Sequence, residues 1–302
     1  MRIGSRAPIV ILLLLAAAVM SGCGREAPPQ ATGKLVVAVG ILPYKWLVEQ
    51  IGGSHVEVIA LVKPGDSAEL YQPTDAEVSR LVQAAVYFRT GMPSESGPWL
   101  GALQANPKIR LADLLAGIKL RPMESHAHGE AAGTTPHEPA GAGDPHVWLS
   151  PRLLKIQAQT VAGQLETMDP EHAKDYQKNL AELDARLDRT DQSIRRMLAP
   201  LRGKVMFVFH PAWGYFADEY GLRQVAIQAE GKEPTDQELT ELQKLARKED
   251  TKVIFVQPQF AAGAARAVAR AVGARVETLD DLAPDAIAGL LQTAEKVVQA
   301  YW

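Results

Sequence analysis

Two histidines stand where side chains of α/β proteins commonly bind ligands. His146 lies in the block Gly-Asp-Pro-His-Val-Trp-Leu-Ser-Pro at 143–151, just ahead of a predicted helix start. His210 follows the apolar run at 205–209, which predicts a buried strand; ligands bind at the carboxyl ends of strands in such sheets. Neutral imidazole is a preferred ligand of zinc and other divalent transition metals. A lone histidine is more often structural, but two in this position predict metal binding.

Acidic residues after two other predicted strands offer oxygen ligands to the same site. Glu69 lies in a turn-rich segment after the predicted strand at 56–62. Asp280 directly follows the predicted strand at 275–278, and Asp281 competes with it for the same role.

The segment at 119–143 is predicted to be a histidine-rich surface loop. From 125 onwards it consists mostly of Gly, Ala, Pro, Thr, His and Glu, so it buries too little apolar surface to offset its ordering entropy. His126, His128 and His137 lie in it. They are candidate accessory metal ligands, or incidental residues of a solvated loop, because a histidine-rich composition alone is a weak signal.

The first 23 residues have the pattern of a secretory signal peptide. Two arginines precede an uncharged run at 9–20, which is short for a membrane span, although a transmembrane anchor is the alternative. Cys23, the single cysteine, ends a Met-Ser-Gly-Cys sequence that resembles the bacterial lipobox. Residues 24–33 are predicted to be a flexible tether. We therefore expect an extracytoplasmic protein, in the periplasm or on the cell surface, lipid-anchored through Cys23.

The rest of the chain predicts an α/β protein with two lobes. Residues 34–168 alternate short strands with helices, which is typical of a parallel sheet. Residues 169–200 carry apolar residues at helical spacing behind a predicted N-cap, Asp169, and predict one long rigid helix of about 40 Å that joins two domains. Residues 201–302 alternate again and form a second lobe. The predicted strands are 35–40, 56–62, 86–88, 109–111, 204–209, 224–229, 253–256 and 275–278.

Composition and motifs argue against several other functions. The formal net charge of -3 comes from interspersed charges, without the basic face that nucleic-acid binding requires. A secreted zinc hydrolase is the main alternative, but the sequence has no His-Glu-x-x-His helix, Gly-x-Ser-x-Gly elbow or Walker-type loop. We therefore expect no enzyme. An adhesin is a further alternative, and no sequence feature argues for or against binding to a host matrix.

Segments spread over nearly the whole mature chain resemble one family, in the family's order. They are Gly-Ile-Leu-Pro-Tyr at 40–44 with Ile-Gly-Gly at 51–53, Pro-Gly through Pro-Thr-Asp at 64–75, and the blocks at 144–151, 209–216, 230–234 and 279–280. Together they resemble the substrate-binding lipoproteins of metal-specific ABC importers, the zinc and manganese binders of the ZnuA/TroA/PsaA type (cluster A-I).

The resemblance implies two α/β lobes joined by one long helix, with one divalent ion in the interdomain cleft. It also implies four ligand positions, which match Glu69, His146, His210 and Asp280. Glu69 is a departure, because the family carries histidine in that turn. Either Glu69 coordinates the ion, or it does not and a loop histidine or water completes the shell.

The resemblance further implies metal transport and homeostasis, with an ABC importer permease as partner and a monomeric chain. Two imidazoles with two carboxylates suit tetrahedral zinc, whereas oxygen in place of nitrogen shifts a site toward manganese or ferrous iron. The histidine-rich loop resembles that of zinc-type members. Zinc is therefore the expected cargo, with manganese or ferrous iron as the alternative.

Overall fold

Four short strands form the first sheet of the computed structural model, which describes residues 33–123, 143–228, 234–261 and 263–302. The strands pair in the order β2-β1-β3-β4, and each pairing is parallel, as the alternation of strands and helices predicts. These elements are β1 (Leu35–Val39), α1 (Leu42–Gly52), β2 (Val56–Ala60), α2 (Asp75–Leu81), β3 (Val86–Arg89), α3 (Pro98–Gln104) and β4 (Arg110–Asp113).

Four more strands form a second sheet later in the chain. They pair in parallel in the order β6-β5-β7-β8, so the two sheets share one topology although the halves show no sequence repeat. The elements are β5 (Val205–Val208), α6 (Gly214–Tyr220), β6 (Arg223–Ala226), α7 (Asp236–Lys248), β7 (Val253–Val256), α8 (Gly263–Val272), β8 (Arg275–Thr278) and α9 (Ala286–Tyr301).

The strand order of each sheet creates a crevice at one edge. β1 lies between β2 and β3, and β5 lies between β6 and β7. Because the connections leave such a central strand in opposite directions, the loops at its carboxyl end separate and leave room for a ligand. His210 lies just beyond β5, so this topology positions it at the crevice of the second sheet.

Two helices connect the sheets. After a 3-10 turn at Val147–Leu149, α4 (Pro151–Met168) is capped by Ser150, whose side chain accepts a hydrogen bond from the Leu153 amide. This is the helix start predicted behind His146. The long helix α5 (Ala173–Leu198) has 26 residues and spans about 39 Å at 1.5 Å per residue.

The start of the long helix differs from the prediction. A 3-10 turn at Pro170–His172 precedes α5, and the side chain of Asp169 makes no capping hydrogen bond. Its Oδ2 instead bonds His172 Nδ1 at 2.7 Å and accepts from the Tyr176 hydroxyl at 2.5 Å. Side chains one and two turns further along the chain bind the oxygen that the sequence pattern assigned to the backbone.

The buried face of α5 ties the sheets together. Tyr176, Leu183, Leu187, Ile194 and Leu198 are buried, and α5 packs against α1, α4 and α9. One hydrophobic core includes these residues together with apolar side chains of both sheets. Residues 34–302 accordingly form one compact unit.

Several predicted features lie outside the described residues. They are the signal peptide with Cys23, the tether up to residue 32, and the loop histidines His126, His128 and His137. Among the residues that are described, no helix combines the length and the apolar character needed to cross a bilayer.

Replacing Leu187 by alanine tests the role of α5. Leu187 is fully buried in the shared core, so we expect the free energy of unfolding to fall by about 2–5 kcal/mol. Glu182→Ala, on the same helix with 65% of its side chain exposed, should change it by less than about 0.5 kcal/mol. Urea unfolding measures both, and equal small effects would show that α5 is not part of the core.

Candidate metal centre

Three potential ligands converge at the carboxyl ends of the two sheets. Glu69, from the segment after β2, lies with its Oε1 3.0 Å from Nε2 of His210 and 4.0 Å from Nε2 of His146. The two Nε2 atoms are 3.2 Å apart. Ligand atoms about 2.0–2.1 Å from a tetrahedral zinc are separated by about 3.3 Å, so the three distances bracket the spacing of a shared ion.

These three residues come from distant parts of the chain. Both histidines are almost completely buried, whereas the side chain of Glu69 is 12% exposed. Within the described part of the chain, they form the one group of at least three histidine, cysteine or acidic side chains that is close enough to hold a metal ion. The structure thus brings together Glu69, His146 and His210 from the predicted set.

A buried carboxylate orients His146. Asp144 Oδ1 lies 2.7 Å from His146 Nδ1 and accepts the His146 backbone amide at 3.0 Å. A hydrogen bond at Nδ1 leaves the lone pair of Nε2 directed into the cavity, as in metal sites where a carboxylate backs a histidine ligand. Burial lowers the pKa of His146, but the hydrogen bond and charge of Asp144 outweigh it, so the net pKa is raised.

Two glutamines hold His210. Gln228 Oε1 lies 3.2 Å from Nδ1 and fixes that nitrogen as the donor, which again directs Nε2 toward the cavity. The backbone of His210 is paired with the side-chain amide of Gln257 in both directions, at 3.4 and 3.2 Å. Phe260 stacks on the imidazole with ring centroids 5.0 Å apart. The ring therefore has little freedom to turn.

Glu69 is held through its neighbour in the chain. The hydroxyl of the buried Ser94, in the loop after β3, donates to the carbonyl oxygen of Ala68 at 2.6 Å. Burial raises the pKa of Glu69, but the hydrogen bond with His210 and the charges of both histidines outweigh it, so the pKa lies below its ordinary value. Glu69 is thus an anion facing two imidazoles.

The two adjacent aspartates have different environments. Asp281 is buried and lines the cavity beside the histidines, and its Oδ1 has no hydrogen-bond partner among the described residues. Burial raises its pKa to about 6, and the charges of His210 and His146 oppose this shift. An unpaired buried carboxylate is costly unless a cation compensates it.

Asp280, which the sequence analysis preferred, is not among the residues that line the cavity. Its Oδ1 accepts the Gln259 side-chain amide at 3.1 Å and the Leu282 backbone amide at 3.0 Å. The second bond is a local turn interaction, which short acidic side chains favour after a strand. That turn occupies the Asp280 carboxylate and leaves Asp281 facing the histidines.

The cavity is small and has apolar walls. Its volume is about 10 Å³, which is the room that a single water-sized particle occupies. Met92, Trp148, Phe260 and Leu282 contribute the apolar lining. A cavity of this size has room for a single ion.

The residues that support the candidate ligands were not predicted from the sequence. Asp144 lies in the quoted Asp-Pro-His motif, two residues before His146, so its spacing was a usable signal. Gln228 and Ser94 reach the site only through the fold, and nothing in their local sequence marks them. The loop histidines His126, His128 and His137 lie outside the described residues, so their distance from the site is not defined.

Comparisons with known proteins agree with this fold. A family model described as ZnuA, zinc-uptake complex component A periplasmic, matches residues 37–300. The high-affinity zinc uptake system protein ZnuA of Bacillus subtilis (strain 168) is 29% identical, over 91% of this chain and 88% of its own length. The manganese-binding lipoprotein MntA of the same strain is 28% identical, over 83% and 80%.

Solved structures support the same conclusion. A crystal structure of ZnuA is 36% identical in sequence, with a TM-score of 0.80 over 89% of this chain and 99% of that one. The architecture of two parallel-sheet α/β lobes around a long central helix is therefore shared, as the sequence predicts. Because the family model matches most of the chain, this protein belongs to the ZnuA family of periplasmic zinc-uptake components.

Proposed function

We propose that this protein captures one divalent transition-metal ion, zinc in the first place, outside the cytoplasm and delivers it to an ABC importer. The observation that carries the proposal is the convergence of two buried imidazoles and an anionic carboxylate within 4.8 Å of one another. Membership of a family of metal-binding transport proteins supports the delivery role.

We propose Glu69, His146, His210 and Asp281 as the ligands. Asp281 takes the place expected for Asp280, because it is buried, lines the cavity together with the histidines and has an Oδ1 without a hydrogen-bond partner among the described residues. Two carboxylates and two neutral imidazoles would leave a divalent ion without net charge. Neutrality favours burial of the ion in an apolar cavity, since an uncompensated buried charge is very costly.

Zinc is the favoured cargo on coordination chemistry. Imidazole nitrogen raises affinity for zinc over manganese, and four protein ligands satisfy a tetrahedral zinc. Manganese is the second candidate, with ferrous iron, because Glu69 and Asp281 supply two hard oxygen ligands. Relatives of nearly equal identity carry the names of zinc and manganese binders, so similarity alone does not choose between them.

A binding role fits the site better than catalysis. A catalytic zinc keeps one open coordination position for water or substrate, whereas four protein ligands and a cavity volume of about 10 Å³ leave no space for such a position.

We further propose that Cys23 carries a lipid anchor, that the partner is the permease of the importer, and that the chain acts as a monomer. His126, His128 and His137 would be accessory ligands that raise local metal capture.

Metal analysis of protein purified without chelators tests the cargo. We expect one zinc per chain and, in titrations against a chromogenic chelator, tighter binding of zinc than of manganese or ferrous iron. His210→Ala should weaken zinc binding by more than the roughly 10- to 100-fold typical of losing an outer-shell partner. His172→Ala, a half-exposed histidine paired with Asp169, is the matched control. If the parent protein binds manganese more tightly than zinc, manganese is the cargo instead.

Replacing each of the two neighbouring aspartates by alanine tests which of them is the fourth ligand. We expect Asp281→Ala to weaken zinc binding by at least about 10-fold, because it removes a direct ligand. Asp280→Ala removes hydrogen bonds to Gln259 and Leu282 and should change the affinity by less than about 3-fold. The chelator competition titration measures both affinities, and a larger loss for Asp280→Ala than for Asp281→Ala would identify Asp280 as the fourth ligand.

Variants of Glu69 test metal choice. Glu69→Ala should weaken zinc and manganese binding alike, since it deletes an anionic ligand. Glu69→His replaces a hard oxygen by nitrogen, so we expect zinc binding to persist while manganese binding falls by at least about 10-fold. Isothermal titration with each metal measures the change. An alanine variant that binds as tightly as the parent would exclude Glu69 as a ligand.

A further inference from the structure

A buried polar cluster beside the metal centre joins the two lobes. Asp144 is fully buried, and its carboxylate, amide and carbonyl groups each have a hydrogen-bond partner. Its Oδ1 holds His146, while Oδ2 pairs with Nη1 of Arg121 at 3.3 Å. Its amide donates to the Arg121 carbonyl at 2.8 Å, and its own carbonyl accepts the Tyr215 hydroxyl at 2.7 Å.

The second lobe holds Arg121 from several sides. The hydroxyl of Tyr215 accepts the Arg121 amide at 3.0 Å, and the guanidinium lies over the Tyr215 ring, 5.9 Å from its centroid. Nε of Arg121 donates to Oδ2 of Asp218 at 3.0 Å. A Cβ on Gly214 would overlap the guanidinium, so only glycine leaves room for it. We call Arg121, Asp144, Tyr215 and Asp218 the interlobe clasp.

The interlobe clasp makes the orientation of one ligand depend on contact between the lobes. His146 and Asp144 precede α4, whereas Tyr215 and Asp218 belong to α6. We propose that Arg121 and Tyr215 are positioning residues for metal binding: they fix Asp144, which directs Nε2 of His146 at the ion only while α6 is docked. This inference rests on the proposed function of metal capture.

The physical basis is charge compensation combined with fixed geometry. Arg121 neutralises a buried carboxylate, and its planar guanidinium bridges Asp144 and Asp218, which a lysine cannot do with the same geometry. The Tyr215 hydroxyl fixes the backbone on both sides by accepting from Arg121 and donating to Asp144. Without them His146 would keep its ligand atom but lose its orientation, and binding the ion would carry the entropy cost of restoring it. Outer-shell losses of this kind weaken metal binding by roughly 10- to 100-fold.

A pair of tyrosine variants tests the proposal. Tyr215→Phe removes the hydroxyl and keeps the ring, so we expect zinc binding at least about 10-fold weaker and faster release to a chelator. Tyr220→Phe is the matched control, because its hydroxyl lies on the same helix but donates to Asp191 at 3.1 Å. Its affinity should stay within about 2-fold of the parent. Visible absorption of the cobalt-loaded proteins should change for Tyr215→Phe alone, since it reports ligand geometry.

A double-mutant cycle separates positioning from general destabilisation. Gly214→Ala should displace the guanidinium, and Arg121→Ala removes it. If both act through the interlobe clasp, the double variant binds zinc no more weakly than Arg121→Ala alone. Additive losses of affinity would refute the common route. Gly214 lies within α6 with an ordinary φ, so alanine there preserves the helix.

The outcomes distinguish this inference from the proposed function. A parent protein that binds no divalent metal would overturn metal capture itself. A parent that binds zinc while Tyr215→Phe binds it equally well would overturn the interlobe clasp alone. Thermal unfolding of the metal-free variants shows whether each is folded. Should Tyr215→Phe not fold, Arg121→Lys decides: it keeps the positive charge but cannot bridge Asp144 and Asp218 with the same geometry, and unchanged affinity there would refute the proposal.

Discussion

Two buried imidazoles face each other with their Nε2 atoms 3.2 Å apart, and two carboxylates share the same small cavity. Removing these groups from water is costly, because each loses hydrogen bonds that the apolar walls cannot replace. The cost is recovered when opposite charges or a cation compensate the carboxylates. The arrangement is therefore stable only where the surrounding structure holds the groups together, and the remaining architecture can be understood as the means of doing so.

The fold provides that means at three levels. The reversal of strand order leaves a crevice at the carboxyl end of each sheet, and loops from both lobes enter it. Helix α5 then packs into a core shared by the two sheets, which prevents the crevices from separating. Trp148, finally, contacts the ring of His146 and donates its indole N–H to the backbone carbonyl of Asp281 at 2.7 Å, so it joins a proposed ligand of the first lobe to the backbone of the second.

Three of the four proposed ligands also have a partner that holds them from behind. Asp144 orients His146, Gln228 orients His210, and Ser94 holds the peptide that precedes Glu69. Such preorganisation reduces the entropy lost when an ion binds. A metal-uptake protein must nevertheless release its cargo. Supporting one histidine through contacts with the other lobe, as the interlobe clasp does, offers a way to weaken the site when those contacts are disturbed.

The sequence by itself determined the α/β class, most strands and helices, the long helix α5 and the pairing of His146 with His210 as candidate ligands. These features depend on local periodicity and on placement after strands, which neighbours in the chain encode. The different surroundings of Asp280 and Asp281, the partners Gln228 and Ser94, and the contacts of Arg121 were decided only by tertiary structure. Each depends on which side chains, distant in the sequence, lie within hydrogen-bond distance of one another in the fold. Adjacent residues with the same chemistry are distinguished only by the direction in which the folded backbone points them.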